Sequence, residues 1–305
     1  MIKIVIIILN WNGYDDTSEL LNSLKKANKI PKSHIVVVDN DSTHNDAEKL
    51  KMNYGDFIEV IKCENNLGFA GGNNTGIKYA LNNLADYILL LNNDTIVEPD
   101  FLEPLINVLN SNNAIGISAP QINYYQDRRK IWTSGGKISR IRGSGFAYSD
   151  KFEDNKDKEN KYVDFVSGCC MLIKREVFDK VGLFDEKYFL YVEDTDFCFR
   201  TIKAGFKIIV SQNSKIFHKI GNSTVNNFSV LPVYYTTRNR LYFAKKNFYS
   251  TYLITVIYIL FTMILKSLWW NFTGKCNLVN SIKWAFKDFF RGIMGKADLE
   301  KFSVK

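Results

Sequence analysis

Apolar residues recur in short runs along the first 120 residues. The runs begin near Ile2, His34, Phe57, Tyr87 and Ala114, and most of the intervals between them carry apolar residues at helical spacing. Runs such as IVIIIL and HIVVVD are continuously apolar instead of alternating, which is typical of strands that helices cover on both faces. This pattern predicts an α/β fold with a mostly parallel sheet and helices on both of its faces.

The pattern changes after Pro120. Residues 121–161 combine glycine, aromatic and charged residues, which predicts a hairpin and a mobile surface loop. Order returns over residues 162–178, where a strand is followed by a short helix. Another helix is expected to begin near Glu193, because acidic residues suit the first turn of a helix. We predict three regions: 1–120, 121–230 and 231–305.

The last region, 231–305, carries the whole excess of positive charge. It contains 12 Lys and Arg against 3 Asp and Glu, while residues 1–230 contain 28 against 29. Its uncharged run over residues 252–265 is 14 residues long, shorter than the ~20 residues that a membrane-spanning helix needs. The sequence therefore predicts a helical extension that associates with a membrane without crossing it.

A second segment of this tail places apolar and basic residues on neighbouring stripes of one helix. The apolar stripe consists of Ile282, Phe286, Phe289 and Ile293. Such a pattern is typical of a helix in the interface of an anionic membrane, so we predict peripheral membrane attachment and no binding of nucleic acid. The alternative is that both tail segments are core helices packed on the rest of the chain.

The composition indicates a globular protein of a reducing compartment. The 305 residues are 46% hydrophobic and 24% charged, which is enough for a full core. The five cysteines form no CxxC pair, and the first apolar run ends in NWNG instead of a small-residue cleavage site. We therefore expect no signal peptide and a cytoplasmic location.

Three of the apolar runs end in polar residues. They supply Asn10 and Asn12 in LNWNG, Asp39 in VVDNDS, and Asn92 and Asp94 in LLLNNDT. In an open α/β sheet the ligand lies beyond the carboxyl ends of the strands, so these side chains are expected to meet around one bound molecule. The glycine-rich stretch NNLGFAGGNNTG has neither the spacing of a dinucleotide fingerprint nor that of a P-loop.

Together with YVEDTDFCFR at residues 191–200, these segments resemble the inverting glycosyltransferases of family 2, most closely their rhamnosyltransferase-like branch. The resemblance covers residues 2–218 and implies the glycosyltransferase A fold. It implies transfer of a sugar, rhamnose by branch, from a nucleotide-diphosphate donor to a saccharide or lipid-linked saccharide in surface polysaccharide biosynthesis. Donor binding then falls to region 1–120, acceptor binding and catalysis to region 121–230, and the membrane contact lies on the cytoplasmic side.

The resemblance also gives roles to residues of the donor site. It places Asp39 against the base or ribose, with Asn10 and Asn12 on the neighbouring loop. Asn74 holds the glycine-rich stretch beside the nucleotide by hydrogen bonds. Arg238, in the segment YYTTRNRLYF, is expected to meet a pyrophosphate of donor or acceptor, or to face lipid headgroups instead.

Asp94 is the expected acidic ligand of a Mg²⁺ or Mn²⁺ ion, and the resemblance adds His218, which matches the family's downstream histidine, as a second ligand; the alternative is a structural histidine. Oxygen ligands suit both ions, and the ion would neutralise charge on the departing diphosphate. The family often has Asp-x-Asp where this chain has Asn92-Asn93-Asp94, so Asp94 remains as the acidic ligand and Asn92 offers a carbonyl or a hydrogen bond to ribose.

The resemblance makes Asp194 the catalytic base, with Glu193 helping to place the acceptor. At helical spacing Glu193 and Asp196 share a face, whereas Asp194 projects differently from the first turn. Arg200 is expected to pair with one of these acids. The alternative is that the acids only stabilise the start of their own helix.

Two other functions remain open. A nucleotidyltransferase would also use a nucleotide-binding α/β sheet and Mg²⁺, but the N-terminal residues supply no phosphate loop rich in glycine and basic residues. A non-catalytic nucleotide-sugar-binding protein is compatible with the missing acid at Asn92. The sequence leaves the donor sugar, the linkage formed and the oligomeric state open.

Overall fold

The computed structural model describes residues 3–28, 33–148, 159–219 and 229–302. Part of the predicted mobile loop, residues 149–158, lies outside the described residues.

The first part of the chain alternates strands and helices as the apolar pattern predicts. Each of the five predicted runs contains a strand. The elements are β1 (Ile4–Asn10), α1 (Tyr14–Lys25), β2 (Ser33–Asp39), α2 (Asp46–Tyr54), β3 (Glu59–Lys62), α3 (Gly68–Asn82), β4 (Tyr87–Asn92), β5 (Thr95–Val97), α4 (Leu102–Ser111) and β6 (Ile115–Tyr124).

The second part adds further strands and two helices. A short strand pair made by β8 and β9 stands apart from the main sheet. The elements are β7 (Ile131–Thr133), β8 (Gly136–Ser139), β9 (Ser144–Ala147), β10 (Lys161–Val163), β11 (Cys170–Lys174), α5 (Arg175–Val181), α6 (Glu193–Lys203) and β12 (Lys207–His218).

The main sheet has the strand order β10-β12-β6-β11-β4-β1-β2-β3, with β5 beside β12 and β7 beside β6. The pairs that join β3, β2, β1 and β4 are parallel, and β6 is parallel to β12. Strand β11 runs antiparallel between β4 and β6 and so joins the two parallel groups. The predicted α/β fold is confirmed, and strands from regions 1–120 and 121–230 share this one sheet.

Helices cover both faces of the sheet, as the continuously apolar strands predict. On one face Ile6 and Ile8 of β1 pack in a cluster with Leu20 of α1. On the other face Ile7 packs in a cluster with Ile77 of α3. Because β1 and β4 are buried along almost their whole length, their polar residues fall at the strand ends.

Among the described residues after β12, the longer helices are α7 (Val230–Asn247), α8 (Tyr252–Phe272) and α9 (Cys276–Phe290). The apolar stripe of α9 is internal, since Ile282 and Phe289 are buried in a cluster with Leu241 of α7 and Ile259 of α8. For these two residues the membrane-interface prediction is wrong, whereas Ile293, beyond the end of α9, is 42% exposed. Helical spacing fixed the face correctly, but a neighbouring helix covers it.

Helix α8 exposes its apolar side chains instead. Its 21 residues include the uncharged run over 252–265 and exceed the length expected from that run. Leu253, Ile257, Phe261 and Trp269 are each more than half exposed. Over the described part of the chain, one helical stretch, Tyr249–Phe272, is long and apolar enough to cross a membrane by length and composition.

Candidate active site

A cavity of about 660 Å³ opens at the carboxyl ends of β1, β2 and β4. Its lining comes from the loops after these strands, the start of α3, the segment before α6, helix α7 and the C-terminal residues. The lining residues are Leu9, Trp11, Asn40, Asp41, Thr43, Asn66, Gly68, Phe69, Asn92, Asn93, Asp94, Phe189, Leu190, Leu231, Tyr235, Lys296, Ala297 and Leu299.

Asn10 ties the first two strand ends together from below the cavity. Its completely buried amide donates to Asp39 Oδ1 at 2.9 Å and to Asp46 Oδ2 at 3.1 Å, and its Oδ1 accepts from Thr17 Oγ1 at 2.7 Å. Asp39 is also completely buried, and its Oδ2 accepts from Ser42 N at 3.2 Å. These two predicted nucleotide-binding residues lie beneath the cavity and hold the loop that lines it.

Asn12 fixes the same loop from the other side. It adopts a left-handed backbone, with φ of 51°, and its Oδ1 accepts from Thr43 N at 2.8 Å and Thr43 Oγ1 at 3.0 Å. In this structure Asp41, two residues after Asp39, presents a carboxylate to the cavity. Sequence reasoning missed Asp41, although its position in VVDNDS was the available signal.

Asn40 joins this loop to the start of α3. Its Oδ1 accepts from Leu67 N at 2.9 Å, and its Nδ2 donates to Gly68 O at 3.1 Å. Gly68 has φ of 72°, and a Cβ there would lie 2.3 Å from Phe189 O, so the close approach of these segments requires glycine. The glycine-rich stretch thus lets α3 begin against the cavity wall.

Asn74 does not line the cavity. From α3 it donates to Phe184 O and to Glu186 Oε1, both at 2.9 Å, and it accepts from Phe184 N at 3.0 Å. These bonds hold α3 to the segment before α6.

The segment after β4 places Asn92, Asn93 and Asp94 on the cavity. Asp94 Oδ1 lies 3.1 Å from His218 Nε2, because the pairing of β5 with β12 sets Thr95 opposite His218. The structure therefore brings together the two predicted metal ligands, which are 124 residues apart in the sequence.

A hard divalent ion fits this pair. Nε2 of His218 and the Asp94 carboxylate already face each other, and His218 Nδ1 is buried with no hydrogen-bond partner in the described residues. Among the described residues no group of three or more His, Cys, Asp or Glu side chains is placed to hold a metal ion. Asp94 and His218 would supply two ligands to such an ion, and oxygen atoms of a diphosphate would suit the remaining positions.

The predicted base, Asp194, lies beside the end of β4. Its Oδ2 accepts from Gly168 N at 3.1 Å and its Oδ1 from Thr195 N at 2.6 Å. Cys169 follows Gly168 in the chain, and its backbone oxygen accepts from Asn92 N at 2.8 Å. A short path of contacts therefore links Asp194 to the cavity. Neither Asp194 nor Glu193 is among the residues that line the cavity itself.

The protein environment raises the pKa of both acids at the start of α6. Burial raises the pKa of Glu193 well above its usual range, and the charge of neighbouring Asp194 adds to this rise. Burial also raises the pKa of Asp194, although hydrogen bonds from Gly168 N and Thr195 N oppose it. Glu193 Oε2 is buried and has no hydrogen-bond partner in the described residues. Asp194 is thus the acid that ionises first.

Asp196 has a structural role. It is completely buried, and its Oδ2 accepts from Arg200 Nε at 2.8 Å and from Lys246 Nζ at 3.0 Å. The expected pairing of Arg200 with one of the three acids is confirmed. Lys246 belongs to α7, so this carboxylate fastens the C-terminal helices to α6.

Arg238 is completely buried in α7. Its Nε donates to Asn239 Oδ1 at 3.1 Å, its Nη1 to Tyr234 Oη at 3.1 Å, and its Nη2 to Tyr188 O at 3.4 Å. The guanidinium therefore supports the wall that Tyr235 presents to the cavity. Arg238 is not among the residues that line the cavity.

Comparison with known proteins agrees with this geometry. Residues 5–182, more than half of the chain, match the family profile described as Glycosyl transferase family 2. The chain is 29% identical over 248 residues to the low-salt glycan biosynthesis hexosyltransferase Agl10 of Haloferax volcanii, covering 80% of this chain and 76% of Agl10. It is 25% identical over 263 residues to the dTDP-rhamnosyl transferase RfbF of Shigella flexneri, covering 82% and 83%.

A third relative is the N-acetylglucosaminyl-diphospho-decaprenol L-rhamnosyltransferase of Mycobacterium tuberculosis, 24% identical over 240 residues, covering 72% of this chain and 76% of the relative.

Among solved structures, GalNAc-T7 with UDP, GalNAc and Mn²⁺ superimposes with a TM-score of 0.64 at 16% identity, over 83% of this chain. The chain spans about half (49%) of the length of GalNAc-T7. Residues 1–349 of TarS from S. aureus give a TM-score of 0.56 at 14% identity, covering 95% of this chain and 73% of that fragment. These two likenesses concern the fold alone.

Proposed function

This chain is an enzyme of glycosyl transferase family 2 with the glycosyltransferase A fold, and we propose that it transfers a rhamnosyl group with inversion. The donor is a nucleotide diphosphate sugar, dTDP-rhamnose, and the acceptor is a saccharide or lipid-linked saccharide of a surface polysaccharide. The names of RfbF and of the mycobacterial relative support this choice of sugar, and the mycobacterial name supports a lipid-linked acceptor.

The observation that carries the proposal is the meeting of three strand ends at one cavity, with the start of α6 linked to that cavity through residues 168 and 169. Asp94 and Asn92 line the cavity, and two hydrogen bonds connect Asn92 to Asp194 through the adjacent residues Cys169 and Gly168. A donor in the cavity therefore has its diphosphate at Asp94 and its sugar toward Asp194. This is the relation that a single displacement requires between leaving group and base.

The reaction follows from these positions. Asp194 accepts the proton of an acceptor hydroxyl as that oxygen attacks the anomeric carbon from the side opposite the diphosphate. The bond between the anomeric carbon and the diphosphate oxygen breaks, and the electron pair leaves with the nucleoside diphosphate. Glu193, which keeps its proton at higher pH than Asp194, offers a neutral hydrogen-bonding group to the acceptor.

Asp94 and His218 would hold a Mg²⁺ or Mn²⁺ ion. When bound, the ion offsets the negative charge of the departing diphosphate. The protein's own part is to set the carboxylate and the imidazole 3.1 Å apart at the end of the sheet.

The nucleoside occupies the part of the cavity between Trp11 and the loop after β2. Asn40, Asp41 and Thr43 line this part and offer acceptors and donors for ribose and base. Asp39, which lies beneath, fixes the loop instead of touching the ligand in this arrangement.

We further propose that the enzyme works at the cytoplasmic face of the cell membrane. The exposed apolar residues of α8, together with the basic charge of residues 231–305, supply the contact with an anionic surface. A membrane location would bring a lipid-linked acceptor to the active site.

The test is a screen of nucleotide sugars for release of nucleoside diphosphate, with Mg²⁺, with Mn²⁺ and in excess chelator. We expect release from dTDP-rhamnose above other donors, and dependence on the ion. Binding of nucleotide sugars without release would indicate a non-catalytic binding protein. Release of inorganic diphosphate from a nucleoside triphosphate would indicate a nucleotidyltransferase.

A further inference from the structure

One wall of the cavity comes from the C-terminal end of the chain. Lys296, Ala297 and Leu299 line it together with Tyr235 of α7. These residues lie far beyond residue 182, where the match to the family profile ends. The cavity is thus completed by a part of this chain that the family domain does not include.

The segment is fastened to the rest of the molecule at its start. We call residues 295–302 the C-terminal strap. Gly295 N donates to Lys187 O at 2.8 Å, just before α6, and Ala297 N donates to Tyr235 Oη at 2.8 Å. Gly295 has φ of 78°, a left-handed conformation that glycine adopts without strain and that turns the chain back after α9.

The end of the strap is also anchored. The ring of Phe302 packs 5.2 Å from the ring of Tyr234, edge to face. Tyr234 is buried in α7, and its hydroxyl donates to Asp288 Oδ2 of α9 at 2.6 Å. Helices α7 and α9 therefore hold the strap in place over the cavity.

Lys296 is the basic side chain among the described residues that line the cavity. Asp41, Asp94 and Lys296 are the charged side chains among the described lining residues. A nucleoside diphosphate is a polyanion, and two carboxylates alone would repel it. Lys296 is exposed to the cavity, and no ion pair joins it to another described residue.

We propose that Lys296 binds the diphosphate of the sugar donor through charge-assisted hydrogen bonds, and that the strap is part of the donor site. This inference rests on the proposed function. It gives the C-terminal region a second task besides membrane contact: removing the strap would weaken donor binding even in the absence of any membrane.

The test measures equilibrium binding of dTDP and of UDP by calorimetry, in solution and without lipid. Lys296→Ala should weaken binding of the preferred nucleoside diphosphate about 10- to 100-fold, the loss of one hydrogen-bonded charge contact. Lys296→Arg should stay within about threefold of wild type, since it keeps the charge. The matched control is Lys283→Ala, which removes an exposed lysine of α9 that does not line the cavity and should leave binding unchanged.

Two further probes locate the contact. The nucleoside monophosphate lacks the outer phosphate, so its affinity should fall much less in Lys296→Ala than that of the diphosphate. Geranyl diphosphate represents the diphosphate of a lipid-linked acceptor, and its binding should not change. A loss confined to geranyl diphosphate would overturn the assignment to the donor, as would equal nucleoside diphosphate binding by wild type and Lys296→Ala. If the wild-type protein binds no nucleoside diphosphate, the proposed function fails and this inference with it.

Discussion

Replacing Asp194 by asparagine tests the assignment of the catalytic base. The change keeps the shape of the side chain and removes its ability to accept a proton. Loss of a general base slows the chemical step about 10²- to 10⁴-fold, which corresponds to about 3 to 5 kcal/mol of activation free energy. The donor should bind almost as in wild type, because Asp194 does not line the cavity.

The structure also indicates how much Asp194→Asn lowers the free energy of unfolding. Asp194 accepts from Gly168 N and from Thr195 N, and an amide offers an oxygen to only one of these two donors. One hydrogen bond to a carboxylate is lost, which costs about 1 to 3 kcal/mol of unfolding free energy. The same change removes a charge whose burial raises its pKa, and this partly offsets the loss. Asp194→Asn should therefore remain folded.

The assay is the rate of nucleoside diphosphate release at saturating donor, beside the donor dissociation constant and a denaturant titration. Asp196→Asn is the matched control, because Asp196 lies in the same turn but pairs with Arg200 and Lys246 instead of approaching the cavity. It should lower stability and leave turnover of the folded protein within about threefold of wild type. Turnover of Asp194→Asn within tenfold of wild type would refute the assignment. An equal loss of donor affinity would move Asp194 into donor binding.

Three further predictions concern the ion, the pH profile and the membrane. Replacing His218 by alanine should raise the Mn²⁺ concentration that half-saturates nucleoside diphosphate binding at least about tenfold, and unchanged Mn²⁺ dependence would exclude His218 as a ligand. Because burial raises the pKa of Asp194, kcat/KM should fall as the pH drops, with a midpoint above the ordinary carboxylate value of about 4. Glu193→Gln should keep that midpoint, since Glu193 is still protonated when Asp194 ionises, and a shift of a full pH unit would contradict this order. Serine at both Ile257 and Phe261, on the exposed face of α8, removes apolar surface without adding charge and should reduce flotation with anionic vesicles more than about tenfold, whereas undiminished flotation would show that α8 is not the contact.

Local pattern was enough to predict most of the sheet and the position of the site. Continuously apolar runs fixed the strands, because a strand covered on both faces tolerates few polar residues. Their polar ends had to meet at one edge, because parallel strands deliver their carboxyl ends together. The start of α6 at Glu193 was predicted from a different signal, the acidic residues of its first turn, because the helix dipole favours negative charge there.

What the sequence left open was which side chains face the cavity and which lie beneath it. Asp39 and Asp41 are both polar residues after β2, but hydrogen bonds to Asn10 and Ser42 draw Asp39 inward. The sequence predicted that Arg238 binds a pyrophosphate. In the structure its guanidinium donates to Tyr234 Oη and to Tyr188 O instead. These outcomes depend on partners distant in the chain.

Residues 231–305 show most clearly the difference between what the sequence determines and what the tertiary structure decides. Sequence by itself determined that residues 231–305 are basic, helical and apolar on particular faces, since charge and helical spacing are properties of the local chain. Only tertiary structure decided that α9 buries its apolar stripe, that α8 exposes its own, and that Lys296 reaches a cavity built by β1, β2 and β4. Burial depends on contacts between segments that are distant in the chain. Whether an apolar face of a helix packs in the core, contacts a membrane or lines a ligand site is therefore decided only when the neighbouring segments are in place.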